Sequence, residues 1–192
     1  LAKEENLKHD SAVMTPEQIM EALGKPGVAA EGRFFPDTYA FSKGSSDIAL
    51  LRRAMQAMDK RLEDDWSLKQ EDSPLKSADE LLILASIVEK ETGKAADRGL
   101  VAGVFANRLR IGMLLQTDPT VIYGLGDKFD GNLRKRDLQA DTPWNTYTRT
   151  GLPPTPIAMP GKASLIAAVQ PEKTKALYFV ARGDGSSHFS ES

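Results

Sequence analysis

The residue in this chain with the clearest setting for acid–base chemistry is Glu89. It follows Leu81 to Val88, a run that is apolar except for Ser86, and the residues three, four and seven positions before it are Ser86, Ala85 and Leu82. On a helix, those positions share its face. A carboxyl so placed is partly desolvated, and desolvation raises its pKa toward the range in which it gives and takes a proton near neutral pH. Glu91 points about 160 degrees away around the same helix, from the 3.6-residue repeat, and reads as the solvent-facing partner. The plainer alternative is that Glu89 is the polar end of a buried helix, paired with a cation such as Arg108. A second constellation is Gln116-Thr117-Asp118-Pro119-Thr120, where amide, carboxylate and hydroxyl groups suit the donor and acceptor hydroxyls of a sugar; its alternative is a helix N-cap at Asp118. A third is Thr142-Pro143-Trp144-Asn145-Thr146-Tyr147-Thr148, followed by four prolines between Pro153 and Pro160. Prolines stiffen the path, and Trp144 and Tyr147 either stack on sugar rings or pin the loop to the core.

Composition narrows the chemistry further. There is no cysteine, and His9 and His188 are the only histidines, so thiol nucleophiles, thiolate metal sites and disulfides are excluded and histidine catalysis has little material. No metal site and no cofactor is expected. The 25 Lys+Arg against 27 Asp+Glu give a net charge of −2, which argues against a nucleic-acid partner, whose binding rests on phosphate neutralisation. The longest apolar run, Leu81 to Val88, is less than half of the roughly 20 residues that a membrane span needs. The chain opens on Leu1 rather than Met and reads as a fragment of a longer protein.

Several elements must position these groups. Thr15, Pro16 and Gln18 form a capping-box start for a helix that runs to Leu23 and stops at Gly24. Residues 27–41, mixing Gly, Pro and aromatics, read as a short strand or turn. Ile48, Leu51, Met55, Met58 and Leu62 set an amphipathic helix from Asp47 to Trp66, and Glu63 to Lys76 is a polar connection and the best internal linker candidate. Ser77-Ala78-Asp79-Glu80 reads as a capping box opening the Glu89 helix. Another helix runs from about Arg98 to Arg110 with Gly112 as its stop; Leu114 to Gly124 reads as a strand or turn entering a short helix near Pro119. Residues 125–160 form a long loop of the kind that is functional or disordered. A helix from Lys162 to Val169 precedes strands at Leu177 to Ala181 and His188-Phe189. The expected fold class is α+β, a helix-rich part with small antiparallel strands from the Glu31 to Phe41 and Leu177 to Phe189 regions.

Taken together, Glu31-Gly32-Arg33-Phe34-Phe35-Pro36-Asp37-Thr38-Tyr39, Ala85-Ser86-Ile87-Val88-Glu89-Lys90-Glu91-Thr92, Val104-Phe105-Ala106-Asn107-Arg108-Leu109, Gln116-Thr117-Asp118-Pro119-Thr120-Val121-Ile122-Tyr123-Gly124, Asn145-Thr146-Tyr147 and Gly151-Leu152-Pro153-Pro154 resemble the YceG-like family of endolytic murein transglycosylases. Met159 departs from the family pattern, which has Asn or a small polar residue there. The resemblance implies that Glu89, the first glutamate of the Glu-Lys-Glu-Thr stretch, is the catalytic acid, with Gln116, Asp118, Asn145 and Tyr147 binding the substrate. It implies peptidoglycan glycan strands as substrate, cut internally to leave 1,6-anhydro ends, with peptidoglycan synthases as candidate partners. It further implies a parent protein held in the bacterial inner membrane by one N-terminal helix absent here, a catalytic domain in the periplasm spanning residues 46–192, and residues 1–45 completing a LysM-like subdomain. Two competing functions are a hydrolytic muramidase using Glu89 and Asp118 with water, and a noncatalytic peptidoglycan-binding scaffold module.

Overall fold

The computed structural model describes residues 1–192. Seven α-helices and one two-stranded antiparallel sheet form it: α1 (Pro16–Ala22), α2 (Asp47–Trp66), α3 (Ala78–Glu91), α4 (Arg98–Arg110), α5 (Asp118–Leu125), α6 (Lys135–Gln139), α7 (Lys162–Val169), β1 (Tyr178–Ala181) and β2 (Ser187–Ser190). This is the helix-rich α+β class expected from the sequence. No helix is long and apolar enough to cross a membrane.

The central element is α3. Every residue from Leu81 to Val88 is buried, because α2, α4, α5 and α7 all pack around it, as an apolar circumference requires. Its N-cap is Ser77, whose side chain accepts from the Glu80 amide. The expected reciprocal bond does not close there: the Glu80 carboxylate accepts instead from the Lys76 amide, one residue earlier. At α1 both halves of the box are present, between Thr15 and Gln18. Gly112 ends the run after α4 with φ +70°, a backbone state that costs glycine little.

Residues 31–41 form no strand, contrary to expectation. The segment is turn and extended chain laid across α2: the Phe35 amide donates to the Ala54 carbonyl at 3.0 Å, and Arg61 and Arg53 sit over the Phe35 and Tyr39 rings at 5.6 and 5.7 Å. Gly32 at φ +79° and the donorless Pro36 interrupt any ladder, and the aromatics are satisfied by the helix instead. Nor does the expected linker from Glu63 to Lys76 separate two units: its first four residues close α2, and the rest is tied to the core. Leu75 within it is buried, Gln70 donates to the Pro171 carbonyl at 3.2 Å, and Met58 and Leu62 of α2 share one core with α3 and α7. A smaller cluster of Met20, Leu23 and Met55 seats α1 on α2.

The hairpin pairs Tyr178 with Ser190 and Ala181 with Ser187. Phe179 turns inward and meets Phe105 of α4 edge-on, with ring centres 5.7 Å apart, which fastens the sheet to the helical body.

Candidate active site

Two carboxylates leave the C-terminal turn of α3 in opposite directions, and their surroundings are the reverse of those expected. Glu89 is exposed. It accepts hydrogen bonds from the Ser164 hydroxyl and, at 3.4 Å, the Gly161 amide, at the start of α7. The apolar residues beneath it on the helix are covered by α7, but that cover ends at Ser164, so the carboxyl emerges into solvent. Its sequence partner Arg108 is elsewhere. That guanidinium is buried and bonded to main-chain carbonyls, with Nε donating to Leu177 at 2.7 Å and one terminal nitrogen to Leu115 at 2.6 Å.

Glu91, read from sequence as the solvent-facing partner, is half-buried in a cleft of about 350 Å³ lined also by Phe105, Arg108, Gln116, Asp118 and Tyr147, and closed on its far side by β1. Burial raises its pKa above the usual carboxylate range; the Thr117 hydroxyl, which donates to its Oε1, opposes that rise, and the negative charge of Asp118 adds to it. Charge is disfavoured in a desolvated pocket beside a second anion, so the protonated form persists to higher pH. Thr117 occupies one carboxyl oxygen. The other is left to carry the proton.

The Gln116 segment is held from both sides. Gln116 is the only non-glycine residue with positive φ, at 49°, a conformation that costs a residue with a Cβ and recurs where a site demands it. The constraint is visible in its neighbours: Arg108 holds the Leu115 carbonyl, the Gln116 amide donates to the Thr146 carbonyl at 3.2 Å, and the Thr117 amide donates to Thr146 Oγ1 at 3.0 Å. The following helix, α5, has Thr117 as its N-cap residue without a side-chain bond. Asp118 is therefore not a cap. Its exposed carboxylate accepts from the Tyr147 hydroxyl, and burial together with this bond pushes the Tyr147 pKa up, which keeps the phenol protonated.

Of the five residues singled out by sequence, the structure brings Gln116, Asp118 and Tyr147 together, around Glu91 rather than around Glu89. Asn145 stands apart from the cleft surface. It is fully buried, with its amide nitrogen donating to the Leu138 and Ala140 carbonyls at 3.0 and 2.7 Å and its oxygen accepting from the Tyr147 amide at 2.8 Å. All its polar capacity facing the chain is spent on shaping the loop. Trp144 likewise pins the loop: its indole donates to Thr155 at 2.9 Å and its ring lies 5.7 Å from Tyr123. The sequence suggests Glu91 as solvent-facing, Arg108 as a partner for Glu89 and Thr117 as one of a polar segment; the structure instead joins Thr117 to Glu91 and sets Arg108 in the same cleft. The angular separation of Glu89 and Glu91 was readable, but which side faces a cleft depends on what packs against the helix end.

The chain that builds this cleft is similar in sequence to known proteins. The chain is 40% identical over 161 residues to an endolytic murein transglycosylase of Bacillus subtilis, covering 84% of this chain and 44% of that protein. It is 36% identical over 156 residues to one from Streptococcus pneumoniae, covering 79% of this chain and 28% of the relative. The chain thus spans less than half the length of either. A crystal structure of a yceG-like protein from Listeria monocytogenes superposes with a TM-score of 0.74 at 35% identity, over 91% of this chain and 59% of that one. With the YceG-like family model matching residues 1–192 as well, the chain belongs to the YceG-like family.

Proposed function

We propose that this chain is the catalytic part of a peptidoglycan lytic transglycosylase with Glu91 as its acid and base. The observation that carries the reading is the half-buried Glu91 carboxyl with its raised pKa, opening on the cleft that also holds Gln116, Asp118 and Tyr147; the curated relatives named endolytic murein transglycosylase support the reaction class. In this reading Glu91 gives its proton to the glycosidic oxygen between N-acetylmuramic acid and N-acetylglucosamine. The C1–O bond breaks with its electron pair leaving on that oxygen, and an oxocarbenium-like centre forms at C1. The muramic acid 6-hydroxyl then closes on C1 and returns its proton to Glu91, so no water is consumed and a 1,6-anhydro end remains. One carboxyl suffices, unlike the pair that ordinary glycoside hydrolysis requires. Asp118, held by Tyr147, lies where its negative charge stabilises the developing cation, and the Gln116 amide orients the strand.

With cell-wall strands as substrate the working protein acts outside the cytoplasmic membrane, with residues 46–192 as the catalytic domain and residues 1–45 completing a LysM-like subdomain. Because Asp118 shares the cleft with Glu91, a hydrolytic muramidase using both is the competing reading, and it differs in product.

The experiment is cleavage of uncrosslinked glycan strands, with product ends identified by mass spectrometry. Glu91→Gln keeps the shape and removes the proton, and is expected to lower the rate by about 10²- to 10⁴-fold, the usual contribution of general acid–base catalysis; Glu89→Gln is expected to cleave. Anhydro ends support the transglycosylase, and reducing ends one water heavier indicate the muramidase. Loss of cleavage in Glu89→Gln with retention in Glu91→Gln would return the acid to Glu89 and overturn the assignment.

A further inference from the structure

The wall of the cleft opposite Gln116 is a strand edge whose hydrogen-bonding groups are unspent. The Arg182 amide donates to the Ser186 carbonyl at 2.8 Å, and the antiparallel register continues through Val180 with His188 and Tyr178 with Ser190. Residues directly opposite one another alternate between those that exchange main-chain bonds and those whose N–H and C=O point outward. The even-numbered residues of β1 therefore bond β2, and Phe179 and Ala181 turn their main-chain groups to the free edge. Leu177, just before the strand, is already engaged: its amide donates to the Ser190 carbonyl at 2.9 Å and its carbonyl accepts from Arg108 Nε. The Phe179 and Ala181 N–H and C=O groups make no hydrogen bond outside the sheet, and both residues line the cleft that holds Glu91.

A free strand edge offers donors and acceptors in alternation, two residues or about 6.6 Å apart. The ligand group complementary to one such donor–acceptor pair is a secondary amide, which carries one N–H and one C=O. Sugar hydroxyls do not need this pattern, whereas an acetamido substituent matches it. Resting on the reading of the cleft as a glycan site, we infer that the free edge of β1 at Phe179 and Ala181 binds the 2-acetamido group of a sugar in the strand, and so makes the site selective for N-acetylated glycan. Arg108 is the positioning residue of this edge: through the Leu177 and Leu115 carbonyls it sets the spacing between β1 and the Gln116 segment across the cleft.

The test compares three preparations of the same uncrosslinked strands: native, chemically de-N-acetylated, and de-N-acetylated then re-N-acetylated. Rates are compared at a pH above the amino group's pKa, so that deacetylation introduces no charge. Native and re-acetylated strands are expected to be cleaved alike, and deacetylated strands about 10-fold or more slower, as the loss of one or two hydrogen bonds predicts. Equal rates on all three would overturn the inference while leaving transglycosylation standing; no cleavage of native strands would instead remove the reading beneath it. A second arm uses Ala181→Pro. Proline at an edge position removes the outward N–H without breaking a ladder bond, so the preference for acetylated strands is expected to narrow by about 3- to 10-fold. An undiminished preference in a variant whose melting matches the wild type would show that the acetamido group is read elsewhere. If Ala181→Pro does not fold, the substrate comparison on the unaltered protein decides alone.

Discussion

Replacing Asn145 separates two roles that the sequence leaves indistinguishable. If this residue touched the glycan, Asn145→Ala would slow cleavage and leave stability alone. The structure dictates the reverse order of effects. Asn145 is fully buried and spends its side chain on three main-chain partners, the carbonyls of Leu138 and Ala140 at the end of α6 and the amide of Tyr147. Each bond contributes about 0.5–1.5 kcal/mol net, so deleting all three costs roughly 1.5–4.5 kcal/mol. For a chain of this size each kcal/mol moves the melting temperature by about 2–4 °C, giving a fall of roughly 3–18 °C. Asn145→Asp is the sharper variant. It keeps the acceptor for the Tyr147 amide but turns a carboxylate oxygen toward two carbonyls that need a donor. At neutral pH it is expected to be at least as damaging as alanine. Its folded-state pKa is raised by those carbonyls, so stability falls as pH rises above the unfolded carboxyl value and recovers as pH falls toward it. The assay is thermal unfolding followed by circular dichroism between pH 4 and 8, alongside strand cleavage below the melting transition. Melting within about 1 °C of the wild type, with cleavage abolished, would refute this account and place Asn145 on the substrate.

Glu91→Gln is expected to raise the melting temperature at neutral pH. Burial raises the folded-state pKa of Glu91, so the native chain holds a proton that the unfolded chain releases, and wild-type stability declines as pH climbs from the unfolded carboxyl value through the folded one; the gain in the variant should therefore vanish in acid, as pH-dependent melting curves would show. The same titration predicts that kcat/KM falls as pH rises through the raised Glu91 value, and a rate increasing through that range would contradict Glu91 as the acid. At Gly103→Ala, the added Cβ would lie 2.5 Å from the Glu172 carbonyl oxygen and 2.9 Å from Thr174 Cγ2, forcing α4 off the segment before β1 at a cost of about 1–3 kcal/mol, measurable as a shift in the denaturation midpoint.

Much of the scaffold was legible because its signals are local. The Thr15 capping box, the three- and four-residue spacing from Ile48 to Leu62, the all-apolar run from Leu81 to Val88 and the glycine after α4 each specify an element from a few neighbouring residues, and the helices formed where those signals lie. The 31–41 segment was misread because its aromatics fit a strand pattern equally well. What settled them was α2, which offered Phe35 a main-chain acceptor and both rings a guanidinium.

The sequence by itself determined that carboxylates are the main acid–base groups on offer, since cysteine is absent and there are only two histidines. It also determined that two of them leave one buried helix on opposite sides, which follows from the 3.6-residue turn alone. Only the tertiary structure decided which of the two faces the cleft. The pKa of a carboxyl depends on the groups that exclude water from it, and for the last turn of a helix those groups come from distant parts of the chain. α7 stops short of covering Glu89, whereas the Gln116 segment, the Tyr147 loop and β1 converge on Glu91. The same convergence turned Asn145 inward and left the edge of β1 facing the cleft, outcomes of packing between segments that no local spacing encodes.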